Sequence, residues 1–227
     1  STCETWRIIG VFDGKVKLIR GSQIGKYSWD NKDTTTGAEK DYGKNDWTDA
    51  RLMKLLNPGY ESETTGGSLY YNSGSGTCYL GKNNATTTCN FTSAGIKNTT
   101  RNLISDTTYY LGGWKNNKVY PDEIYEYERG TTVYTGRPPK WTGKIALAYP
   151  SDYGYAADLE KCIDKQLSSY NDSTCTSNNW MTMMINTPTN GWLLTPYSSN
   201  YHALVVSTSG SVSDSTYGSV YTGRGVT

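Results

Sequence analysis

Histidine and phenylalanine are nearly missing from this chain, with one His and two Phe in 227 residues. A single imidazole argues against a histidine-based metal site, and no Cys-x-x-Cys pair offers a thiolate alternative. That imidazole, His202, lies in a Tyr/Ser/Asn stretch. Ser-His-Asp catalysis needs a nucleophile and an orienting carboxylate around it, and no Gly-x-Ser-x-Gly elbow supplies the first. Net charge is equally scant at +1, so the basic footprint of a nucleic-acid binder is missing. No apolar run approaches the roughly 20 residues that cross a bilayer, and no apolar leader opens the sequence. The expectation is a chain with no membrane segment and no cofactor.

Aliphatic residues are sparse too. Ile, Leu, Val and Phe together number 35, a fraction low enough to raise the question of disorder. The small net charge and 29 aromatics answer it, because Trp and Tyr can replace much of the absent aliphatic core. Tyr outnumbers Phe twenty to two, so many rings keep a hydroxyl in water or in a hydrogen bond. Five cysteines are present. Cys78 and Cys89 bracket one polar loop and Cys162 and Cys175 another. Two local disulfides would each restrain the unfolded chain by roughly 3 kcal/mol, which leaves Cys3 free or paired elsewhere. Such pairing implies an oxidising, extracellular or cell-surface address.

Along the chain, apolar runs at 6–12 and 15–19 flank Asp13-Gly14, a strong hairpin signal. Residues 21–30 read as a loop carrying Trp29, and 31–45 as an exposed polar excursion. Asn45 or Asp46 caps a helix over 47–56 with Trp47, Leu52, Leu55 and Leu56 on one stripe, stopped by Asn57-Pro58-Gly59. A second long excursion covers 60–92. Ser93 opens a weaker helix through Ile96, Leu103 and Ile104. Short strands are expected at 107–111 and 124–127, a firmer one at 143–148, and a short helix at 158–167. The pattern gives an α+β class in one domain over 1–227, with two main helices on a twisted, mostly antiparallel sheet.

The stretch from Trp192 to Val226 differs from the rest. An apolar segment, Ala203-Leu204-Val205-Val206, is embedded in Ser, Thr, Tyr, Gly and Asn, and between Thr195 and Gly223 only Asp214 is charged. Tyr offers a broad, rigid, amphipathic face, and Ser, Gly and Asn adapt around it, as in antibody paratopes. Recognition is the function this composition suits.

Tyr149-Pro150-Ser151-Asp152-Tyr153-Gly154-Tyr155-Ala156, Asn178-Asn179-Trp180, Trp192-Leu193-Leu194-Thr195-Pro196-Tyr197 and Gly225-Val226 carry a resemblance. So do Cys3…Trp6-Arg7-Ile8-Ile9 and Leu52-Met53-Lys54-Leu55-Leu56-Asn57-Pro58-Gly59-Tyr60. Over most of its length the chain resembles uncharacterised bacterial surface proteins, often attached to a pilin-like leader. These in turn are similar to the C-type lectin fold in its formylglycine-generating-enzyme-like branch, which the variable proteins of diversity-generating retroelements share. The resemblance implies a lectin-like scaffold with Trp192, Leu194, Leu204 and Val206 in its frame. Display positions would be Tyr197, Ser199, Asn200, Tyr201 and His202, followed by Ser213, Asp214, Ser215, Tyr217 and Ser219. Relatives continue past Gly-Val into a closing strand, which here would come from a longer chain or a neighbouring subunit. The Glu-Pro-Asn, Gln-Pro-Asp and Trp-Asn-Asp strings of calcium lectins are missing, so no metal is implied.

The leading expectation is an extracellular adhesin or receptor-type display domain whose partner is a protein or glycan on another surface. A structural subunit of a pilus or filament is the alternative, with a secreted enzyme behind it. Sugar stacking on Trp29, Trp114 or Trp180 remains open. The acidic pairs Asp122/Glu123, Glu126/Glu128 and Asp158/Glu160 are the carboxylates that a glycosidase reading would need facing a cleft.

Overall fold

The computed structural model describes residues 3–30, 42–57, 59, 96, 98–114, 117–213 and 224–227. Asp13 and Gly14 take positive φ, 51° and 74°, and close a tight turn between β1 (Trp6–Phe12) and β2 (Lys15–Arg20). The two strands pair antiparallel, as the Asp-Gly dipeptide requires, with a bulge between Ile8 and Gly10.

The loop expected over 21–30 contains a strand instead, β3 (Gly25–Tyr27). A second two-stranded antiparallel ribbon joins β4 (Thr107–Tyr110) to β5 (Lys140–Gly143). The remaining strands are β6 (Gly191–Pro196), β7 (Ala203–Val206), β8 (Val212–Ser213) and β9 (Arg224–Val226). They form with β3 a five-stranded sheet of order β3-β9-β6-β7-β8, antiparallel except for the β6–β9 pair.

Every residue of β6 and β7 is buried, because the sheet carries a core on each face. Successive side chains alternate between the two. Trp192, Leu194 and Val205 enter a cluster with Trp29, Trp47, Leu52 and Leu56. Leu193, Leu204 and Val206 enter the other, with Tyr153, Tyr170, Met181 and Ile185. The tryptophans also satisfy polar atoms: Trp29 Nε1 donates to the Leu193 carbonyl at 3.2 Å and Trp192 Nε1 to the Tyr27 carbonyl at 2.9 Å. Gly191 is needed for the close approach of the segment before it, since a Cβ there would stand 2.0 Å from the Ile185 carbonyl oxygen.

The helices are short and more numerous than the two expected. A 3-10 turn (Trp47–Asp49) and α1 (Arg51–Leu56) occupy the expected 47–56 span, broken at the extended Ala50. Asp46 caps the turn through Thr48 N. The weaker second helix shrinks to α2 (Asn98–Arg101), and its proposed cap at Ser93 lies outside the described residues. The strand expected at 124–127 is wrong. Pro121 at the first helical position and Glu123, accepting from Tyr120 N at 2.9 Å, start α3 (Pro121–Arg129) there. Tyr149-Pro150-Ser151-Asp152 repeats the device, with Tyr149 N donating to Asp152 at 2.8 Å, and starts α4 (Pro150–Tyr155).

The firm strand expected at 143–148 is also corrected. Regular pairing ends at Gly143, and Asn57 Oδ1 accepts from Lys144 N and Ile145 N where a strand partner would stand. The expected helix at 158–167 reduces to α5 (Leu159–Cys162), capped by Asp158, plus a 3-10 turn (Leu167–Ser169). Two further single-turn helices are α6 (Ser173–Thr176) and α7 (Thr182–Ile185). Residues 42–45 are not exposed as expected: Gly43 and Asn45 are buried, and Lys44 N donates to Asp30 at 2.7 Å. Asp30 pairs with Arg51 at 3.5 Å, both all but fully buried. Most of the 31–45 excursion and all of 60–92 lie outside the described residues.

Cys162 and Cys175 form the expected disulfide, which ties α5 to α6 across 13 residues. Cys78 and Cys89 lie outside the described residues, and Cys3 is exposed and, among the described residues, free. Among the described residues no helix is long and apolar enough to cross a membrane. Reduction, or Cys162→Ala with Cys175→Ala, is expected to lower unfolding free energy by about 3 kcal/mol. Urea titration of both forms measures the difference, and coincident midpoints would show that the bridge adds no stability.

Candidate functional site

The β6–β7 turn, Tyr197 to His202, is where the buried sheet reaches the surface. Tyr197 N donates to the His202 carbonyl at 2.9 Å and Ser199 N to the Tyr197 carbonyl at 2.7 Å, which closes the turn on itself. A register shift between Trp192 and Pro196 bends β6 as it arrives. Two residues from elsewhere then hold the turn. Asn45 Nδ2 donates to the Ser199 carbonyl and, at 2.8 Å, to the His202 carbonyl. Asn45 N donates to the Asn200 carbonyl at 3.0 Å. Arg137 reaches the same Asn200 carbonyl at 3.1 Å and the Asn45 Oδ1 at 3.3 Å. The clamp therefore acts on main-chain oxygens.

Side chains of the turn are half-buried, apart from the exposed Ser198. Tyr201 stacks on Tyr42 with ring centroids 4.9 Å apart and meets His202 edge-on at 4.4 Å. Tyr197 lies 6.4 Å from His202. The inner edges of Tyr197 and Tyr201 touch opposite cores. Neither ring stands free in solvent, so each both supports the turn and presents a surface. Ser213, on β8, pairs with Val205 of β7, farther along the sheet from the turn, and is half-buried. Asp214, Ser215, Tyr217 and Ser219 lie outside the described residues. The structure thus brings together Tyr197, Ser199, Asn200, Tyr201 and His202 and sets Ser213 apart from them.

Asn45 and Arg137 were missed by sequence reasoning. Their signal was faint: an Asn read only as a helix cap, and an Arg before two prolines. Beneath the clamp lies a cavity of about 10 Å³, bordered by Asn45, Trp47, Tyr134, Arg137 and Pro196. That is room for about one water molecule. Trp47 Nε1, on its border, is buried and has no hydrogen-bond partner among the described residues.

A second, open concavity of about 600 Å³ lies across the molecule's disulfide region, lined by Lys161, Ser173, Thr176, Asn178, Thr182 and Met183. Of the three tryptophans considered for sugar stacking, Trp29 is fully buried and Trp180 is 39% exposed. Trp114 is half-buried against Tyr134, with ring centroids 5.6 Å apart.

The acidic pairs part company. Asp122 and Glu126 face solvent, and Asp158 pairs with Lys161 at 2.9 Å, which lowers its carboxyl below the usual range. Glu128 is fully buried and accepts from both Ser151 N, at 3.0 Å, and Ser151 Oγ. Burial outweighs those hydrogen bonds and pushes its carboxyl up to about 8. Next to it Asp152 pairs with Lys17, whose ammonium sits 4.3 Å from the Tyr149 ring centre. Glu128 and Asp152 line neither cavity. Their visible role is to lock α3, α4 and the β1–β2 ribbon together. Among the described residues no three His, Cys, Asp or Glu side chains group to hold a metal ion. No family model, curated protein or solved structure matches the chain.

A buried acid whose folded-state value is raised favours the native state while protonated. Glu128 therefore stabilises fully below about pH 4.5, and that stability is lost as pH rises through about 8. Between pH 6 and 9 the melting temperature of the wild type is expected to fall, and Glu128→Gln is expected to flatten this slope. Parallel melting curves for the two proteins would show that Glu128 is not the source.

Proposed function

We propose that this protein is an extracellular binding domain on a C-type-lectin-like scaffold, akin to bacterial surface display proteins, presenting the Tyr197–His202 turn to a protein or glycan partner. The observation that carries the reading is the clamp. Asn45 and Arg137 fix the turn through the carbonyls of Ser199, Asn200 and His202. Backbone carbonyls are the same for every residue type, so this hold on the turn does not depend on which side chains Ser199, Asn200 and His202 carry. A preordered loop of Tyr, Ser, Asn and His binds without a large ordering cost, with Tyr supplying anchor area and its neighbours adaptable hydrogen bonds. The disulfide suits the oxidising surroundings that such a role implies.

Screening the protein on glycan arrays and whole cells tests the proposal. Ser198→Arg and Asn200→Arg are expected to reduce binding at least tenfold with melting temperature unchanged. Met183→Arg, in the open concavity, is expected to leave it intact. Asn45→Ala removes three part-buried hydrogen bonds and should cost about 2–3 kcal/mol of stability as well as affinity. Binding that survives both turn substitutions and is lost with Met183→Arg would move the site away from the turn.

A further inference from the structure

The β1–β2 ribbon is built with its anchoring charges turned inward. Lys17 pairs with the buried Asp152, Lys15 Nζ donates to the Asp106 carbonyl at 2.7 Å, and Ile19 is buried in the core with Ile9 packed on it. The opposite face is aliphatic. Ile8 stands directly across from Leu18, and Val11 across from Val16, so the four side chains share one side of the ribbon. They are 66%, 49%, 67% and 58% exposed, respectively. Together they present on the order of 400 Å² of apolar surface, as large as the largest patch on a typical monomer.

We propose that this face pairs with the same face of a second copy of the chain. Its centre is uncharged, so two copies meet without repulsion. The charges at its two ends are complementary: Asp13 is at the exposed tip, and Arg20 is at the base, across from Trp6. A two-fold axis perpendicular to the strands lays each tip over the other base, setting Asp13 of one copy beside Arg20 of the other. Two ribbons stacked this way form a small sandwich about 10 Å thick that covers all eight aliphatic side chains. Lys15 and Lys17 point away from the seam towards Asp106 and Asp152 of their own copy, where they do not oppose one another. The buried area lies at the low end of specific interfaces, so the pairing is weak and reversible, with a dissociation constant on the order of 10–100 µM.

Sedimentation equilibrium of the whole chain from 1 to 500 µM is the test. Wild type is expected to shift from monomer to dimer across that range. Val16→Asp is expected to remain monomeric throughout, with an unchanged circular dichroism spectrum. Asp13→Asn keeps the left-handed turn and removes the end charge, and it is expected to weaken association about tenfold. Cys3→Ser is expected to change nothing, because the two-fold arrangement carries the two Cys3 thiols to opposite ends. A wild type monomeric at 500 µM overturns the proposal, whether or not it then binds anionic lipid vesicles. So does a dimer abolished by reductant or by Cys3→Ser, or one that Val16→Asp leaves intact.

Discussion

All ten residues of β6 and β7 are buried, and the rest of the structure answers to that constraint. Two adjacent strands with a core on each face have no wet side, so segments beside them need protein partners for their backbone groups. Regular elements here are short, and side-chain amides do much of this work. Asn186 Nδ2 donates to the Ser207 and Thr208 carbonyls, and Asn190 accepts from Thr208 N. Asn179 ties α4 to the start of α7 through the Tyr153 carbonyl and Met181 N. Asn57 acts as the missing partner of the 144–145 backbone. Each amide carries a carbonyl acceptor and N–H donors, the same kinds of group as the peptide unit it replaces.

The same arrangement explains why the Tyr197–His202 turn stands apart. It is the place where the doubly covered pair of strands meets the surface, and Asn45 treats it as the other amides treat interior loops. Tyr-rich composition is likewise shared between inside and outside. Tyr153 donates to the Gly210 carbonyl at 2.7 Å and is fully buried, whereas Tyr201 contributes one edge to the core and one to the surface.

Much of the local structure was legible in the sequence. The Asp13-Gly14 hairpin, the Asp46 cap and the Cys162–Cys175 bridge each follow from short-range chemistry that no distant contact alters. The failures share a cause. Ile124 to Tyr127 looked like a strand because its aromatic residues favour one, but the Tyr-Pro-x-Glu opening upstream fixed a helix. Residues 144–148 looked like the best strand because they are apolar, yet burial here is met by side-chain capping instead of a ladder. The clamp was invisible for a related reason. Asn45 lies some 150 positions from the carbonyls it holds, and nothing in a polar loop reveals which Asn looks inward.

Trp29, Trp47 and Trp141 form a chain of edge-on indoles, with centroids 5.1 Å and then 6.2 Å apart. Rings this close share their excited states, and Trp47 at the centre borders the small cavity under Asn45 and Arg137. The near-ultraviolet circular dichroism and emission of the protein therefore carry a built-in optical signal from the ground directly beneath the turn. Any event that shifts that ground is readable without a dye or a label.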